Sequence, residues 1–149
     1  WVLFGLWKGV GAPGGSILAG DAECVDAARR IRKLFGGRMR QAGLLSAPGL
    51  LALESTDRLA TDHDNAARLA AGLDAIDGLR VPEPETNTVQ AHTDGLWIDA
   101  ETFVDACEAA GVRGGANDPT LVRFCTHRDI DRDDIDAAVG RVADAVASG

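Results

Sequence analysis

The chain opens on seven consecutive apolar residues, Trp1–Trp7, and this run constrains the fold more than any other feature. An uninterrupted apolar run of this length predicts a strand that is buried on both faces, as in the middle of the sheet of an α/β protein. Lys8 and the glycine- and proline-rich stretch Gly9–Gly15 end the strand. Such a strand without neighbours would expose unpaired backbone N–H and C=O groups along its edges, so we expect more protein to precede Trp1.

The rest of the chain predicts alternating helices and strands. Apolar positions recur at helical spacing from Asp21 until the Gly36–Gly37 pair, and Asp99 and Asp131 stand where helix N-caps are expected. Four further helices are predicted, over Arg40–Glu54, Thr56–Ile76, Asp99–Ala110 and Asp133–Ala147. Further strands are predicted over Ser16–Ala19, Thr86–Thr93 and Thr120–Thr126. Gly111–Gly115 is predicted to be a turn or a short strand.

Two of these helices carry more specific expectations. Arg40–Glu54 is apolar enough to be buried, and Pro48 should bend or divide it. In Thr56–Ile76 the leucines and alanines share one stripe, and the charged residues expected outside it are Asp62, Asp64, Arg68 and Asp74.

The segment Pro82–Glu85 separates two parts of the chain. The pattern after it reads strand, helix, strand, strand, helix, which predicts a small α+β domain with a short antiparallel sheet. We therefore expect residues 1–54 to be the end of a large α/β domain, residues 55–81 to be a connecting helix, and residues 82–149 to be the small domain.

Composition excludes several classes of function. Twenty-three acidic against 15 basic residues give a net charge of −8, which disfavours binding to nucleic acid or to anionic membranes. No apolar run reaches the roughly 20 residues that a membrane-spanning helix needs, so a soluble, cytoplasmic protein is expected. Cys24, Cys107 and Cys125 are odd in number and lack CxxC spacing, which argues against disulfides and a zinc site and favours reduced, mostly buried thiols.

Lys8 is the residue whose position suggests chemistry. A lysine that follows a buried strand can be kept as a neutral amine by burial, and a neutral amine attacks carbonyl carbon. The alternative is a lysine that extends from the end of the sheet into water, and spacing alone favours this alternative.

Longer motifs favour the chemical role of Lys8 over the solvent-exposed alternative. Phe4–Ser16 resembles the threonine-aldolase family pattern of an apolar strand followed by Ser-Lys-Gly-Leu-Gly-Ala-Pro, one residue, and Gly-Ser. Ala28–Gly43 is similar to the family's Arg-Lys-x-x-Gly-Gly-Gly-Met-Arg-Gln-x-Gly, and Leu121–Ile130 to its Val-Arg-Leu-Val-Thr-His-x-Asp-Val. The resemblance also includes Leu59–Arg68 and Glu85–Asn87, so that the motifs fall in order across nearly the whole chain.

This resemblance implies a fold, a cofactor and an activity. It implies the end of a large domain of pyridoxal phosphate (PLP) fold type I, like that of aspartate aminotransferase, followed by the small α+β domain. The implied activity is that of a lyase which cleaves L-threonine, L-allo-threonine or a related β-hydroxy-α-amino acid to glycine and an aldehyde. A homodimer or homotetramer is expected, since the family builds its sites between subunits.

The resemblance also implies roles for individual residues. Lys8 would hold PLP as a Schiff base, and Arg123 would pair with the substrate α-carboxylate, which suits a planar guanidinium. Lys33 and Arg40 match basic residues near the cofactor phosphate and the subunit boundary. The plainer alternatives are a surface arginine at 123, a helix C-terminal charge at 33 and an ion-pair partner at 40.

Two positions depart from the family pattern. Trp7 replaces a small hydroxyl residue that can bond the phosphate, and Arg38 replaces the third glycine of a Gly-Gly-Gly run. The acid for the pyridine nitrogen, the ring-stacking residue and the phosphate cup are expected outside this chain, so the isolated chain should be inactive. A β-eliminating lyase and an inactive truncated domain remain alternatives. His127 is interpreted as structural, and His63 and His92 as exposed.

Overall fold

A computed structural model describes residues 1–148, which form two compact units, Trp1–Asp57 and the remainder from Arg58. The first unit contains β1 (Val2–Gly5), β2 (Ser16–Ala19), α1 (Ala22–Leu34) and α2 (Gly43–Leu53). The second contains α3 (Leu59–Asp74), β3 (Thr88–His92), α4 (Ala100–Ala109), β4 (Gly115–Asp118), β5 (Leu121–Cys125) and α5 (Arg132–Ala147), and a short 3₁₀ turn, Thr56–Arg58, precedes α3.

In the first unit, β1 and β2 form an antiparallel pair in which Leu3 lies opposite Leu18. The side chain of Asp21 accepts a hydrogen bond of 2.8 Å from the backbone N–H of Cys24 and so caps α1, the helix that was predicted to begin there. The core of this unit is small, and its buried apolar residues are Leu6, Ala12 and Ala52.

Two burial predictions for the first unit are wrong. Trp1 is 81% exposed and Leu3 60%, because among the described residues β1 has only β2 beside it, and a two-stranded ribbon cannot cover both of its faces. Helix α2 is also mostly exposed, with only Gly49 and Ala52 buried. It runs through Pro48 as one helix rather than dividing there.

The second unit is built on a three-stranded antiparallel sheet in the order β3-β5-β4. Val122 and Phe124 are buried and alternate with the exposed Arg123 and Cys125, so that one face of β5 points into the core. Helices α3 and α5 pack against each other, α3 also packs on β3, and α4 packs on β4 and α5. Fully burying each large apolar side chain of this core contributes roughly 1.5–3 kcal/mol.

Local capping explains where the helices of the second unit begin. The Asp99 side chain accepts from the N–H of Thr102 at 2.8 Å, and this hydrogen bond holds the pKa of Asp99 below its usual range. At α5, Asp131 and Asp134 each accept from the other's backbone N–H and form a capping box. Both N-caps were predicted, and the predicted order of strand, helix, strand, strand, helix is confirmed. The division at residues 54 and 81 stays a prediction, and the structure places α3 in the second unit.

Candidate functional site

Lys8 lies in the connection between β1 and β2, on a loop held by backbone hydrogen bonds. The carbonyl of Lys8 accepts from the N–H of Gly11 at 2.8 Å, and the N–H of Leu6 donates to Gly15 at 2.9 Å. Gly11 and Gly15 have φ values of 79° and 107°, which residues with a Cβ rarely adopt. The side chain of Lys8 is exposed, not buried as the apolar strand before it suggested, so its amine is accessible on an ordered loop.

Trp7 folds back over the end of β1. A Cβ built on Gly5 would lie 2.9 Å from Cζ3 of the Trp7 indole, so only a glycine at position 5 leaves room for the ring. Trp7 is half-exposed. The Trp7 ring therefore contacts Gly5. That Trp7 crowds the cofactor phosphate stays a prediction.

Lys33 and Arg40 lie in a strongly basic part of the first unit. Lys33 is in the last turn of α1, Arg40 is in the loop before α2, and both are exposed. Within residues 1–148 neither side chain has a hydrogen-bond or ion-pair partner. Residues 27–53 contain no carboxylate, and their cations are Arg29, Arg30, Arg32, Lys33, Arg38 and Arg40. Such a concentration of positive charge attracts anions such as phosphate.

Arg123 lies on the central strand of the second unit, opposite Gln90 of β3 and Gly115 of β4. Its side chain is exposed and has no hydrogen-bond or ion-pair partner in the described part of the chain. A Cβ on Gly115 would meet nothing within 4 Å, so there is open space at this cross-strand neighbour. The guanidinium is therefore free to take a carboxylate.

Thr126, three residues beyond Arg123, is anchored by a polar network. Its hydroxyl donates to the carbonyl of Asp62 at 2.5 Å, and its carbonyl accepts from the side chain of Asn87 at 2.7 Å. The Asp62 carboxylate in turn accepts from Arg58 at 2.9 and 3.2 Å. These bonds tie the end of β5 to α3 and to the residues that lead into β3.

The prediction that Asp62 lies outside the buried stripe is wrong, since Asp62 is only 2% exposed. A buried carboxylate needs a partner, and Arg58 supplies it from one turn earlier. The spacing of Arg58 and Asp62 by four residues is the signal that sequence reasoning missed.

The remaining reactive side chains offer little chemistry. Burial raises the pKa of the Cys107 thiol to about 11, which disfavours the reactive thiolate. The expectation of mostly buried thiols is wrong, since Cys125 is exposed and Cys24 is half-buried. The His127 ring accepts from the N–H of Asp129 at 3.3 Å, as a structural histidine does. His63 is exposed as expected, and His92 is half-buried.

The four residues singled out from the sequence are divided between the two units. Lys8, Lys33 and Arg40 belong to the first unit and Arg123 to the second. Taken one at a time, they are groups of the kinds that PLP and amino acids bind: Lys8 is an accessible amine, Lys33 and Arg40 are exposed cations, and Arg123 is an exposed guanidinium. The described residues hold no group of three potential metal ligands. No helix in this part of the chain is long and apolar enough to cross a membrane.

Solved structures define the fold class. A crystal structure from Exiguobacterium, named as a candidate aromatic amino acid beta-eliminating lyase/threonine aldolase, matches 96% of this chain and 44% of that chain, with a TM-score of 0.74 and 24% identity. Aspartate aminotransferase from Rhizobium meliloti matches 97% of this chain and 41% of that chain, with a TM-score of 0.70 and 18% identity. The lyase C-DES, solved with its PLP cofactor, matches 69% of this chain and 28% of that chain, with a TM-score of 0.57 and 23% identity. The predicted PLP fold type I is confirmed.

The chain belongs to the beta-eliminating lyase family, whose family model matches residues 1–95. Low-specificity L-threonine aldolase 1 of Arabidopsis thaliana is 36% identical over 134 residues, which are 87% of this chain and 37% of that relative. This similarity confirms the resemblance to threonine aldolases. The chain spans less than two fifths of the length of this curated relative.

Proposed function

We propose that this chain supplies the cofactor lysine and the carboxylate-binding arginine of a PLP-dependent aldolase. The substrate would be L-threonine, L-allo-threonine or a related β-hydroxy-α-amino acid, and the products glycine and an aldehyde. The observation that carries the proposal is 36% identity to a low-specificity L-threonine aldolase over 87% of the chain. The order of the motifs around Lys8 and Arg123 supports it.

In this proposal Lys8 is the attachment point of the cofactor. Its exposed amine, on a loop fixed by hydrogen bonds, would hold the cofactor through the cofactor's aldehyde group. When bound, PLP takes up the electrons that are freed as the Cα–Cβ bond of the substrate breaks. The loop supports this role because it fixes the backbone of Lys8 while the side chain stays accessible.

Arg123 would decide which bond breaks. A guanidinium can hold a carboxylate through two parallel hydrogen bonds and thereby fix the rotation of the amino acid about its Cα. The unpaired guanidinium of Arg123 and the open space at Gly115 support this role. We assign the removal of the β-hydroxyl proton to no residue of this chain.

Lys33 and Arg40 would contribute positive charge for the cofactor phosphate, either in their own subunit or in a neighbouring one. Their exposure and their position in a stretch without carboxylates support this role. We further propose a homodimer or homotetramer in the cytoplasm. The exposed apolar side chains of the first unit, among them Leu34, Phe35 and Leu44, support an assembly that covers them.

A second candidate activity is β-elimination, which the name of the family favours. Elimination releases ammonia and a keto acid from the amino acid, whereas aldol cleavage releases glycine and an aldehyde. Product analysis of the complete protein with threonine separates the two activities. Glycine and acetaldehyde are expected, and a keto acid with ammonia would instead favour elimination.

Covalent labelling tests the role of Lys8 directly. The purified chain is mixed with PLP and reduced with borohydride, and the modified peptide is mapped by mass spectrometry. We expect label at Lys8, undiminished in Lys33→Ala and lost in Lys8→Ala. Because Lys8 and Lys33 are the only lysines and both are exposed, Lys33→Ala is a matched control. Label spread over the amino terminus and Lys33 would contradict the assignment and favour an inactive domain.

A further inference from the structure

The sheet of the second unit has one buried face and one face that is open to solvent. Along β3 and β5 the buried side chains alternate with side chains on the opposite face. The side chains on that opposite face, which we call the open face, are exposed or half-buried and belong to Thr88, Gln90, His92, Leu121, Arg123 and Cys125. The proposed carboxylate-binding residue Arg123 therefore has neighbours on the open face that are available to the same ligand.

Gln90 is the residue of β3 that lies directly opposite Arg123. The kind of pair that they form follows from the end of the ladder, where the N–H of Thr126 donates to the carbonyl of Asn87 at 3.0 Å. Hydrogen-bonded and non-hydrogen-bonded pairs alternate along an antiparallel ladder, and this bond lies three positions from Gln90. Gln90 and Arg123 are therefore a non-hydrogen-bonded pair, whose Cα atoms are roughly 4.5 Å apart and whose side chains are close neighbours.

The next pair of the same kind shows how near such side chains come. Thr88 lies opposite Cys125 on the open face, and Oγ1 of Thr88 is 4.0 Å from Sγ of Cys125. The side chains of Gln90 and Arg123 are longer, and both are exposed. Their polar ends can therefore meet one small ligand above the sheet.

The polar ends of Gln90 and Arg123 are both available. Within residues 1–148 neither side chain has a hydrogen-bond or ion-pair partner. The carboxylate of β4 belongs to Asp118, which lies opposite Leu121 and accepts from the N–H of Thr120 at 2.9 Å. The second unit contains 18 carboxylates and eight arginines, and yet the guanidinium of Arg123 and the amide beside it are left for a ligand.

We propose that Gln90 is a second residue that binds the carboxylate of the amino-acid substrate. The guanidinium of Arg123 donates two parallel hydrogen bonds, and the side-chain amide of Gln90 donates a third, since an ionised carboxylate has about four acceptor positions. A donor on the neighbouring strand restricts the rotation of the bound amino acid further than arginine alone does. The inference rests on the proposed function, because it assumes that Arg123 binds the substrate carboxylate.

The probes are glycine, the amino-acid product, and glycinamide, which lacks the carboxylate. Each is titrated by calorimetry into the complete protein loaded with PLP. Gln90→Leu should weaken the binding of glycine about tenfold, because one hydrogen bond to a charged group is lost, and should leave the binding of glycinamide unchanged. Unchanged binding of glycine, or equal weakening of both probes, would overturn the proposal, since a structural role of Gln90 affects both probes alike.

Three further variants complete the test. Gln90→Glu places a like charge beside the carboxylate and should weaken glycine binding more than Gln90→Leu does, so the test stays valid if Gln90→Leu fails to fold. Thr88→Val is the matched control, because it removes a hydroxyl from the same strand and face, and it should leave glycine binding unchanged. Equal weakening by Thr88→Val would contradict the role of Gln90.

Arg123→Leu separates this inference from the proposed function. If Arg123→Leu weakens glycine binding and neither variant of Gln90 does, the role of Gln90 is wrong and that of Arg123 stands. If Arg123→Leu leaves glycine binding unchanged, the proposed substrate role of Arg123 is wrong, and the role of Gln90 is wrong with it.

Discussion

Thr126 shows how one side chain can fix the end of a strand. It is 1% exposed, and its N–H donates to the carbonyl of Asn87 while its hydroxyl donates to the carbonyl of Asp62. The first bond continues the pairing of β5 with the chain that enters β3, and the second crosses to α3. Because Arg123 lies three residues earlier on the same strand, these bonds also limit how far its backbone can move.

Removing that hydroxyl should destabilise the second unit. Thr126→Val keeps the shape of the side chain but removes the hydrogen bond to the Asp62 carbonyl, which keeps its place in the hydrogen bonding of α3, so the loss is about 0.5–1.5 kcal/mol of the free energy of unfolding. Urea unfolding followed by circular dichroism measures the loss. Thr61→Val, at an exposed position of α3, is the matched control and should change stability by less than about 0.5 kcal/mol. Equal effects of the two substitutions would show that the Thr126 hydroxyl bond contributes nothing.

The burial of a side chain could be predicted from the sequence where it depends only on residues nearby in the chain. Alternation along β5 correctly predicts that Val122 and Phe124 share a face which excludes Arg123. Asp62 was misplaced because helical spacing assigns carboxylates to the outside, although Arg58, four residues earlier, supplies the partner that a buried carboxylate needs. The hydrogen bond from the Thr126 hydroxyl to the backbone carbonyl of Asp62 spans 64 positions, and no local pattern indicates it.

At the scale of elements, two adjacent glycines at the start of β4 have opposite surroundings. A Cβ on Gly114 would lie 2.7 Å from Cε1 of the Phe124 ring, whereas a Cβ on Gly115 would meet nothing within 4 Å. Neither glycine has a positive φ, so backbone strain does not separate them. The close approach of Gly114 to Phe124 therefore sets how tightly β4 lies on the core.

The two glycines give a matched pair of substitutions. Gly114→Ala should destabilise the chain by about 1–3 kcal/mol, because either the Phe124 ring or the strand must move to admit the methyl group. Gly115→Ala should be neutral or slightly stabilising, because alanine lowers the entropy of the unfolded chain and its methyl group has room. Thermal or urea unfolding measures both variants. If Gly115→Ala costs as much as Gly114→Ala, the packing of Gly114 on Phe124 is not what limits this position.

Helix boundaries were more predictable than the burial of whole elements. Asp21, Asp99 and Asp131 cap the helices that the sequence predicted, and Gly36, with a φ of 71°, follows the end of α1, because capping involves only neighbouring residues. The exposure of β1 was not predictable, since an apolar run shows only that a strand can be buried. Whether it is buried depends on which other elements lie beside it.

At the scale of the whole molecule, the two units differ greatly in how much core they contain. The core of the first unit has three buried apolar residues, and that of the second has fifteen. The first unit also leaves Trp1, Leu34 and Phe35 more than four-fifths exposed. Since apolar burial is the main source of stability, the described residues predict a large difference in stability between the units.

Hydrogen exchange should reveal that difference. Amides of β3, β5 and α3 pack around the large core and open only with the whole second unit, so their protection should approach the free energy of global unfolding. Amides of α1, a helix without a buried residue, should exchange through local opening and be at least about a hundredfold less protected. NMR-detected exchange measures both sets in one sample. Equal protection of α1 and α3 would mean that something covers the exposed apolar side chains of the first unit in solution. Repeating the measurement at a series of chain concentrations would show whether a second copy of the chain covers them.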